Sequence, residues 1–289
     1  MKLQRQDFRF FDHLRVRWAE VDLQKIVFNA HYLMYFDTAI TGYWRALAMP
    51  YADSMATLGG ELYVRKAGIE FHASARWDDR LDIGMRCSRI GNSSITMAGA
   101  IFRGDQLLIT GELVYVFADP STQTSRPVPE SLRAWLQAFE ARESMLDVKT
   151  GDWTTLSRAA TAVRTQVFVE EQGISQEDEW DAADATALHT VILNRLGQPV
   201  GTGRLLQDAP GVARIGRMAV LHPLRGAGVG QAVMVALEDA ARARGDSEVI
   251  LSAQRSAENF YQRLGYTPKE NRTTTSALRT SPWYASCAD

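Results

Sequence analysis

The stretch ARIGRMAVLHPLRGAGVGQAVMVALEDAARARG, residues 213–245, decides the fold of the second half of the chain. Its short, apolar-rich run Arg214–Val220 predicts a strand. The glycine-rich turn RGAGVG follows at Arg225–Gly230. From Val229, apolar residues recur at helical spacing, with charged residues on the other face, until Gly245 ends the predicted helix. A strand, a glycine-rich turn and a helix in succession predict a mixed α/β domain.

The glycine-rich turn has the chemistry of an anion site. Gly226, Gly228 and Gly230 let the backbone approach a ligand closely. The start of the helix offers unpaired N–H groups at the positive end of the helix dipole, which suits a diphosphate. The spacing is not that of the dinucleotide-binding fold, and it is not a P-loop, because no Gly-Lys-Ser/Thr follows.

The motif Arg-x-x-Gly-x-Gly, with its flanking strand and helix, is followed by VILSAQRSAENFYQRLGY at residues 249–266. Together these features resemble the GNAT superfamily of N-acetyltransferases; the alternative is a glycine turn in another α/β domain. The resemblance implies that backbone groups at Met218 and Val220 contact the pantetheine arm of acetyl-CoA. It also implies a diphosphate site made of Arg225, Gly226, Ala227, Gly228, Val229 and Gly230.

The same resemblance implies a proton donor. Tyr261, in Asn259-Phe260-Tyr261, aligns with the tyrosine that protonates the departing CoA thiolate in this family. A phenol positioned by a helix can serve as that acid. The alternative is that Tyr261 is a packed aromatic residue. No general base is evident, so the proton of the acceptor passes to water or to an acid such as Glu171.

An acidic segment precedes this region. Glu170–Asp184 contains seven acidic residues and no basic one. One interpretation is a solvated loop; the other is an acceptor site that attracts an amine cation, with Glu171 binding the substrate. The run from Val167 to His189 resembles a small bacterial subgroup of predicted acetyltransferases, and His189 is expected to be structural.

The bulk properties of the chain limit the class of protein. Its 289 residues suit about two domains, which we place at 1–147 and 148–289. No apolar run approaches the ~20 residues that span a membrane, and the first residues lack the apolar core of a signal peptide. Cys87 and Cys287 make no pattern for disulfides or zinc, so we expect no metal. These features favour the cytoplasm, and a net charge of −2 gives no field that favours nucleic acid.

The first half has an α+β pattern. Leu14, Val16 and Trp18 alternate with other residues and predict a half-buried strand. A polar loop follows, and then a helix that starts at about Ala30, is apolar on nearly every side and ends at Pro50. Four strands complete the prediction, at Leu62–Ala75, Arg80–Ile90, Ser94–Arg103 and Gln106–Asp119. One strand, a central helix and four antiparallel strands predict an α+β domain.

Several segments of this half carry a second resemblance. They are Val16–Asp22, Ile26–Phe28, His31–Leu33, Tyr35–Asp37, Ile69–His72 and Arg76–Leu81. Over about residues 10–135 the chain resembles the 4-hydroxybenzoyl-CoA thioesterase family, which has the hotdog fold. The resemblance implies hydrolysis of acyl-CoA with Asp22 as the catalytic residue, a backbone N–H near Asn29 that polarises the thioester carbonyl, and Tyr32 near the substrate. It also implies a homo-oligomer, a dimer or tetramer, with the active site at the subunit interface.

The chemistry of Asp22 agrees with that role. Thioester hydrolysis needs an attacking oxygen and donors for the oxyanion, and a carboxylate beside a helix N-terminus supplies both. Asp22 either attacks directly or activates water; the remaining alternative is that it caps a turn. The family has His, a small residue and then Asn-Tyr, whereas the chain has Asn29-Ala30-His31-Tyr32, so no catalytic role is assigned to His31.

The tail departs from the GNAT pattern. Such domains add one more apolar strand after a position equivalent to Tyr266, but residues 267–289 are rich in Thr and Ser and lack clean alternation. We expect an atypical tail that is disordered or in which the last strand is missing or replaced.

These observations predict a bifunctional CoA-thioester enzyme. A hotdog domain, an antiparallel sheet around a central helix, is followed by a GNAT-type mixed α/β domain. The substrates are acyl-CoA, acetyl-CoA and an amine acceptor, with no tightly bound cofactor. One alternative is a thioesterase whose second half is an acyl-CoA sensor or scaffold. Another is a transferase whose first half only oligomerises, which the carboxylate of Asp22 disfavours. Nucleic-acid binding is disfavoured because there is no basic patch.

Overall fold

A computed structural model describes residues 3–268 and 280–286. The chain divides into two compact units after Met145. The boundary predicted from the sequence, between residues 147 and 148, lies two residues later. No helix among the described residues is both long and apolar enough to cross a membrane.

The first unit is a sheet with a long central helix. Its sheet order is β1-β3-β4-β5-β2, and each neighbouring pair is antiparallel. The elements are β1 (Phe10–Arg15), α1 (Asn29–Ala46), α2 (Tyr51–Leu58), β2 (Glu61–Phe71), β3 (Arg80–Ile90), β4 (Ser94–Arg103), β5 (Gln106–Ala118) and α3 (Glu130–Glu140). The predicted antiparallel sheet around a central helix is confirmed.

Helix α1 buries one broad face against this sheet. Phe36, at its centre, is fully buried, and its ring contacts the backbone at Gly99 and Gly111, where a larger residue would leave no room. The other buried residues of the helix are Tyr32, Tyr35, Ala39, Ile40, Tyr43 and Trp44. Leu33 and Met34 are exposed, so the expectation of burial on nearly every side is wrong at the start of the helix.

Two local predictions in this unit are wrong. The first strand ends at Arg15, and Trp18 lies in a 3₁₀ turn with 78% of its surface exposed. The turn forms because the buried Glu20 accepts hydrogen bonds from the backbone and guanidinium of Arg17, which competes with strand pairing. Pro50 does not end the long helix. That helix stops at Ala46, and Pro50 instead precedes α2, where its fixed φ is tolerated.

The second unit is a mixed sheet of order β11-β12-β10-β9-β8-β7-β6. Neighbouring strands are antiparallel except β9 and β10, which are parallel. The elements are β6 (Asp147–Gly151), α4 (Trp153–Arg164), a π-helical turn (Thr165–Glu171), α5 (Gln176–Glu179), β7 (Leu188–Leu193), β8 (Pro199–Ala209), β9 (Val212–Val220), α6 (Val229–Arg244), β10 (Glu248–Gln254), α7 (Glu258–Arg263), β11 (Thr267–Pro268) and β12 (Thr280–Ser286). The mixed α/β architecture predicted from residues 213–245 is confirmed.

The tail contains the strand that the sequence did not reveal. Strand β12 pairs with β10 over seven positions, from Glu248 opposite Ser286 to Gln254 opposite Thr280. The expected disorder or loss of the last strand is therefore wrong for residues 280–286. Its pairing with β10 along its whole length, and with β11 at two positions, makes this segment a strand although its sequence does not alternate cleanly. Residues 269–279 and 287–289, including Cys287, lie outside the described residues.

Candidate functional site

The loop between β1 and α1 is closed at its base by Glu20. The carboxylate of Glu20, 3% exposed, accepts hydrogen bonds from the Arg17 backbone at 2.7 Å and from the Tyr35 hydroxyl at 2.9 Å. Its backbone carbonyl accepts the N–H of Phe28 at 2.9 Å. Burial opposes ionisation of Glu20, but the hydrogen bonds from Arg17 and Tyr35 outweigh it and lower its pKa. Glu20 therefore fixes the path that leads from Asp22 to the start of α1.

Asp22 caps this loop and remains partly accessible. Its Oδ1 accepts the N–H of Gln24 at 2.8 Å and, more weakly, the N–H of Ile26 at 3.4 Å. Both of these bonds use the same oxygen, so Oδ2 has no hydrogen bond among the described residues. The alternative that Asp22 caps a turn is therefore correct for its Oδ1 atom. The other oxygen is left for the predicted catalytic role, which stays a prediction.

Helix α1 begins at Asn29 without a side-chain cap. Phe28, the residue before it, supplies no capping hydrogen bond, so the first N–H groups of the helix have no side-chain acceptor. Asn29 is exposed, as the predicted carbonyl-polarising position requires. His31 lies edge-on to Phe28, with ring centroids 6.0 Å apart, which agrees with a structural role.

Tyr32 is 2% exposed, and its hydroxyl accepts the backbone N–H of Ala75 at 3.0 Å. Burial raises the pKa of this phenol. The hydrogen bond anchors α1 to the segment after β2. The predicted contact of Tyr32 with substrate remains a prediction, and the burial of the side chain in this chain does not favour it.

In the second unit, strands β9 and β10 separate. Their parallel pairing ends at Ile215 and Leu251, although β9 continues to Val220 and β10 to Gln254. At the same place the register between β9 and β8 shifts, and Arg217 has a φ of +51°. Such a bulge bends a strand. We call the resulting gap between Gly216–Val220 and Ser252–Gln254 the β9–β10 wedge; Met218 and Val220, predicted to contact pantetheine, lie on its β9 side.

The glycine-rich turn has the backbone that its sequence predicts. Gly226 and Gly228 adopt φ values of +85° and +83°, which side chains rarely allow, and open space surrounds both. Gly228 precedes α6, whose first turn has no side-chain cap. Ala227 lies between the two glycines, and Val229 and Gly230 are the first two residues of α6. Uncapped N–H groups of a 16-residue helix can bind a phosphate group there.

Arg225 and Glu171, predicted to bind different ligands, bind each other in this structure. The Arg225 guanidinium donates to Oε1 and Oε2 of Glu171 at 2.7 and 2.6 Å. The hydrogen bond from Arg225 lowers the pKa of Glu171. Both side chains are partly exposed, at 42% and 35%. The pair is therefore accessible to a ligand that competes for either partner.

Tyr261 lies in α7, directly after β10. It is 6% exposed, and its ring lies edge-on to Phe260 and Tyr266 with centroids 5.0 and 6.0 Å away. Burial raises the pKa of its phenol to about 12, so it holds its proton at neutral pH. Both interpretations of Tyr261, a packed aromatic residue and a proton donor, agree with this environment.

Three carboxylates of the acidic segment, those of Glu179, Asp181 and Asp184, are neutralised by three arginines that the sequence analysis missed. Arg164, 1% exposed, donates to Glu179 at 2.5 Å and to Asp184 at 2.9 Å. Arg204 donates to Asp184 and Asp181, and its hydrogen bond lowers the pKa of Asp181 to about 2.

The third arginine is Arg217 of the bulge, which donates to Asp181 at 3.1 Å and to the backbone carbonyls of Asp178 and Glu179. The solvated-loop interpretation is wrong for Glu179 and Asp184, which are buried, because a buried carboxylate needs a charged partner. Seven acids without a local base were themselves a signal that arginines elsewhere must approach this segment.

Three further predicted features can be stated from the geometry. His189 is 1% exposed, and its Nε2 lies 2.9 Å from the backbone carbonyl oxygen of Asp184, a structural contact. Within residues 3–268 and 280–286, no three His, Cys, Asp or Glu side chains cluster as a metal site would require. Cys87, the described cysteine, is free and buried.

Comparisons with known proteins assign each unit to a family. The model of the thioesterase-like superfamily matches residues 16–136, and that of the acetyltransferase (GNAT) domain matches residues 157–283. The chain is 42% identical over 105 residues to YjcF of Bacillus subtilis, an uncharacterised N-acetyltransferase, covering 36% of this chain and 73% of YjcF. It is 35% identical over 109 residues to the uncharacterised protein YyaT of the same organism, covering 37% and 73%.

Among solved structures, Slr0204 of Synechocystis, a 1,4-dihydroxy-2-naphthoyl-CoA thioesterase, is 18% identical with a TM-score of 0.41. That similarity covers 44% of this chain and 95% of Slr0204. Through its second unit the chain belongs to the GNAT acetyltransferase family, and this domain is joined to an N-terminal hotdog domain of the thioesterase-like superfamily.

Proposed function

We propose that the chain is a bifunctional CoA-thioester enzyme. Its first unit hydrolyses acyl-CoA to a free acid and CoA, and its second unit transfers the acetyl group of acetyl-CoA to an amine. One observation carries the proposal. Each unit has a long helix whose first turn lacks a side-chain cap, next to residues that suit a CoA thioester: Asp22 beside α1, and the glycine-rich turn beside α6.

For hydrolysis, the N–H groups at the start of α1, near Asn29, bind the thioester carbonyl oxygen as it becomes negative. The free oxygen of Asp22 either attacks the acyl carbon or takes a proton from the attacking water. In the first route the acyl group passes to Asp22 as a mixed anhydride, which water then hydrolyses; in the second the water oxygen forms the new C–O bond directly. In both the C–S bond breaks, and the proton lost by water neutralises the departing thiolate, so that CoA leaves as its thiol.

For transfer, acetyl-CoA lies with its pantetheine arm along Met218 and Val220 in the β9–β10 wedge and its diphosphate on Arg225–Gly230. The neutral amine attacks the acetyl carbon, so that a C–N bond forms and the C–S bond breaks. Tyr261 donates its proton to the leaving thiolate, a role open to a phenol whose pKa is about 12. The excess proton of the new amide passes to water or to a carboxylate such as Glu171.

The oligomer proposed for this chain is a homodimer that forms through β2. This strand is at the edge of its sheet, and an edge strand offers unpaired backbone groups to a second strand. Exposed apolar residues lie along β2 and at the adjoining start of α1: Phe28, Leu33, Met34, Tyr63, Val64 and Phe71. A second copy, related by two-fold symmetry, covers the same patch on both chains.

A second candidate function is a thioesterase whose GNAT domain senses acyl-CoA. The observation in its favour is that arginines form ion pairs with four carboxylates of the acidic segment, which leaves few carboxylates for an amine cation. The four are Glu171, Glu179, Asp181 and Asp184. Binding of acetyl-CoA without transfer to any amine in a broad panel would support this alternative.

The decisive experiment measures CoA release from a panel of acyl-CoAs without an amine, for wild type, Asp22→Asn and Tyr261→Phe. We expect wild type and Tyr261→Phe to release CoA, and Asp22→Asn to lose at least about 100-fold in rate, the size typical of a lost acid–base group. If no acyl-CoA is hydrolysed, or if Asp22→Asn is unimpaired, the proposal for the first unit fails.

A further inference from the structure

Two consecutive residues, Glu171 and Gln172, connect the two strands that border the β9–β10 wedge. Glu171 binds Arg225, which also donates to the carbonyl oxygen of Val220, the last residue of β9. Gln172 accepts a hydrogen bond of 2.8 Å from the side chain of Gln254, the last residue of β10. We call Glu171–Gln172 the strap. It joins both strands at the end where their own pairing has stopped.

Arg225, to which the strap is bound through Glu171, is also a candidate ligand for the diphosphate of acetyl-CoA. The Glu171 carboxylate grips the Arg225 guanidinium with two parallel hydrogen bonds, the geometry with which a phosphate binds arginine. The pair is partly exposed, and such a pair adds little stability of its own. A diphosphate on the turn at Gly226 and Gly228 approaches Arg225 with more charge than one carboxylate has, so it competes for the guanidinium.

We propose that in the free protein the strap holds Arg225 on Glu171, and that the diphosphate of acetyl-CoA breaks this anchor of the strap by taking Arg225. Glu171 then becomes available to the amine only after the donor has bound, which makes binding ordered. This inference rests on the proposed acetyl transfer. It assigns Glu171 two successive partners, Arg225 first and the acceptor second.

The test is calorimetric titration of the full chain with free CoA, in wild type and in Glu171→Gln, Arg225→Gln and the double variant. None of these substitutions lies in the first unit, so heat from a CoA site there is common to all titrations. The matched control is Glu170→Gln, because Glu170 is exposed, loses the same charge and has no ion pair among the described residues. The Glu170→Gln variant measures how much CoA binding improves when the acidic segment at residues 170–184 simply loses one negative charge.

We expect Glu171→Gln to bind CoA about three- to five-fold more tightly than wild type, the range of a partly exposed ion pair. Glu170→Gln is expected to change affinity by less than about 1.5-fold because solvent and salt screen its charge. In the Arg225→Gln background, Glu171→Gln should produce no gain.

An unchanged or weaker affinity of Glu171→Gln, an equal gain in Glu170→Gln, or a gain that persists without Arg225 would each overturn the strap while leaving acetyl-CoA binding intact. If wild type and Arg225→Gln titrate identically, Arg225 does not bind the diphosphate and the strap alone is overturned; if wild type and all variants show no CoA binding by the second unit, the proposed transferase function fails. The two failures are therefore distinguishable.

Discussion

Gly99 and Gly111 lie directly opposite each other in β4 and β5, and the ring of Phe36 occupies the space where their side chains would be. A Cβ atom built on Gly99 lies 2.4 Å from a Phe36 ring atom, and one on Gly111 lies 2.6 Å from that ring. These distances are far below van der Waals contact. The pair therefore sets how closely the central helix approaches the sheet.

Gly99→Ala is expected to destabilise the first unit by about 1–3 kcal/mol, because overpacking forces the ring or the backbone to move. Urea unfolding followed by fluorescence measures the change. Phe36→Leu in the same chain is the control, since a smaller side chain relieves the clash and the two losses should be clearly less than additive. Additive losses would contradict this explanation.

Arg164→Leu is expected to cost about 3–5 kcal/mol in the unfolding of the second unit, because it leaves Glu179 and Asp184 buried without this partner. Arg242→Leu is the matched control. Its partners Glu238 and Asp239 are on the exposed side of α6, and the loss there should stay below about 1 kcal/mol. Equal losses in the two variants would show that burial of the network contributes nothing.

The stability of the second unit should fall in acid partly through Asp181. Its pKa is lowered to about 2 by Arg204, so its contribution is present above the unfolded pKa of about 3.9 and is lost as the pH falls towards 2. Asp181→Asn should flatten the decline of unfolding free energy between about pH 4 and pH 2. Asp208→Asn is the control; it removes a partly exposed carboxylate near the end of β8, paired with Arg214, and should keep the wild-type slope.

Tyr261→Phe is expected to lower kcat for acetyl transfer by about 10²–10⁴-fold, the usual contribution of a general acid. Because the pKa of Tyr261 is about 12, the wild-type pH profile should contain no ionisation from this phenol at neutral pH. Tyr266→Phe, which removes the hydroxyl that donates to Glu238, should stay within a few-fold of wild type. Equal activity of the Tyr261 and Tyr266 variants would leave Tyr261 as a packed aromatic.

Val64→Lys should convert the proposed dimer to a monomer, because it introduces a charge into the exposed apolar patch on the edge strand β2. Sedimentation velocity measures the change. Val235→Lys, an exposed residue of α6, is the control and should keep the wild-type oligomeric state. A wild type that is monomeric at micromolar concentration would contradict the proposed interface.

The sequence predicted the features that depend on local patterns. The predicted bounds of β3 and β4 match the structure to the residue, and the RGAGVG motif indicated a glycine-rich turn between β9 and α6. It missed features that depend on distant partners. The sequence around Arg164 and Arg204 does not indicate which carboxylates these side chains neutralise. The Glu171–Arg225 pair likewise joins residues that are far apart in the chain.

The same distinction explains the two misjudged strands. Residues 280–286 lack a clean alternation, and their pairing with β10, which the sequence pattern does not reveal, identifies them as a strand. Trp18 fits an alternating pattern, but the buried carboxylate of Glu20 closes a turn there.

The bulge at Arg217 has a consequence for how this domain can change during evolution. The backbone of this residue bends β9 away from β10, and its side chain ties down the acidic segment at Asp181. A glycine would adopt the same φ with less strain but would remove one of the three arginines that hold the segment, whereas a change at Asp181 would leave Arg217 bound to the backbone carbonyls of Asp178 and Glu179. A substitution at Arg217 is therefore expected to alter the bend of β9 and the anchoring of the acidic segment at once, whereas a substitution at Asp181 leaves the bend in place.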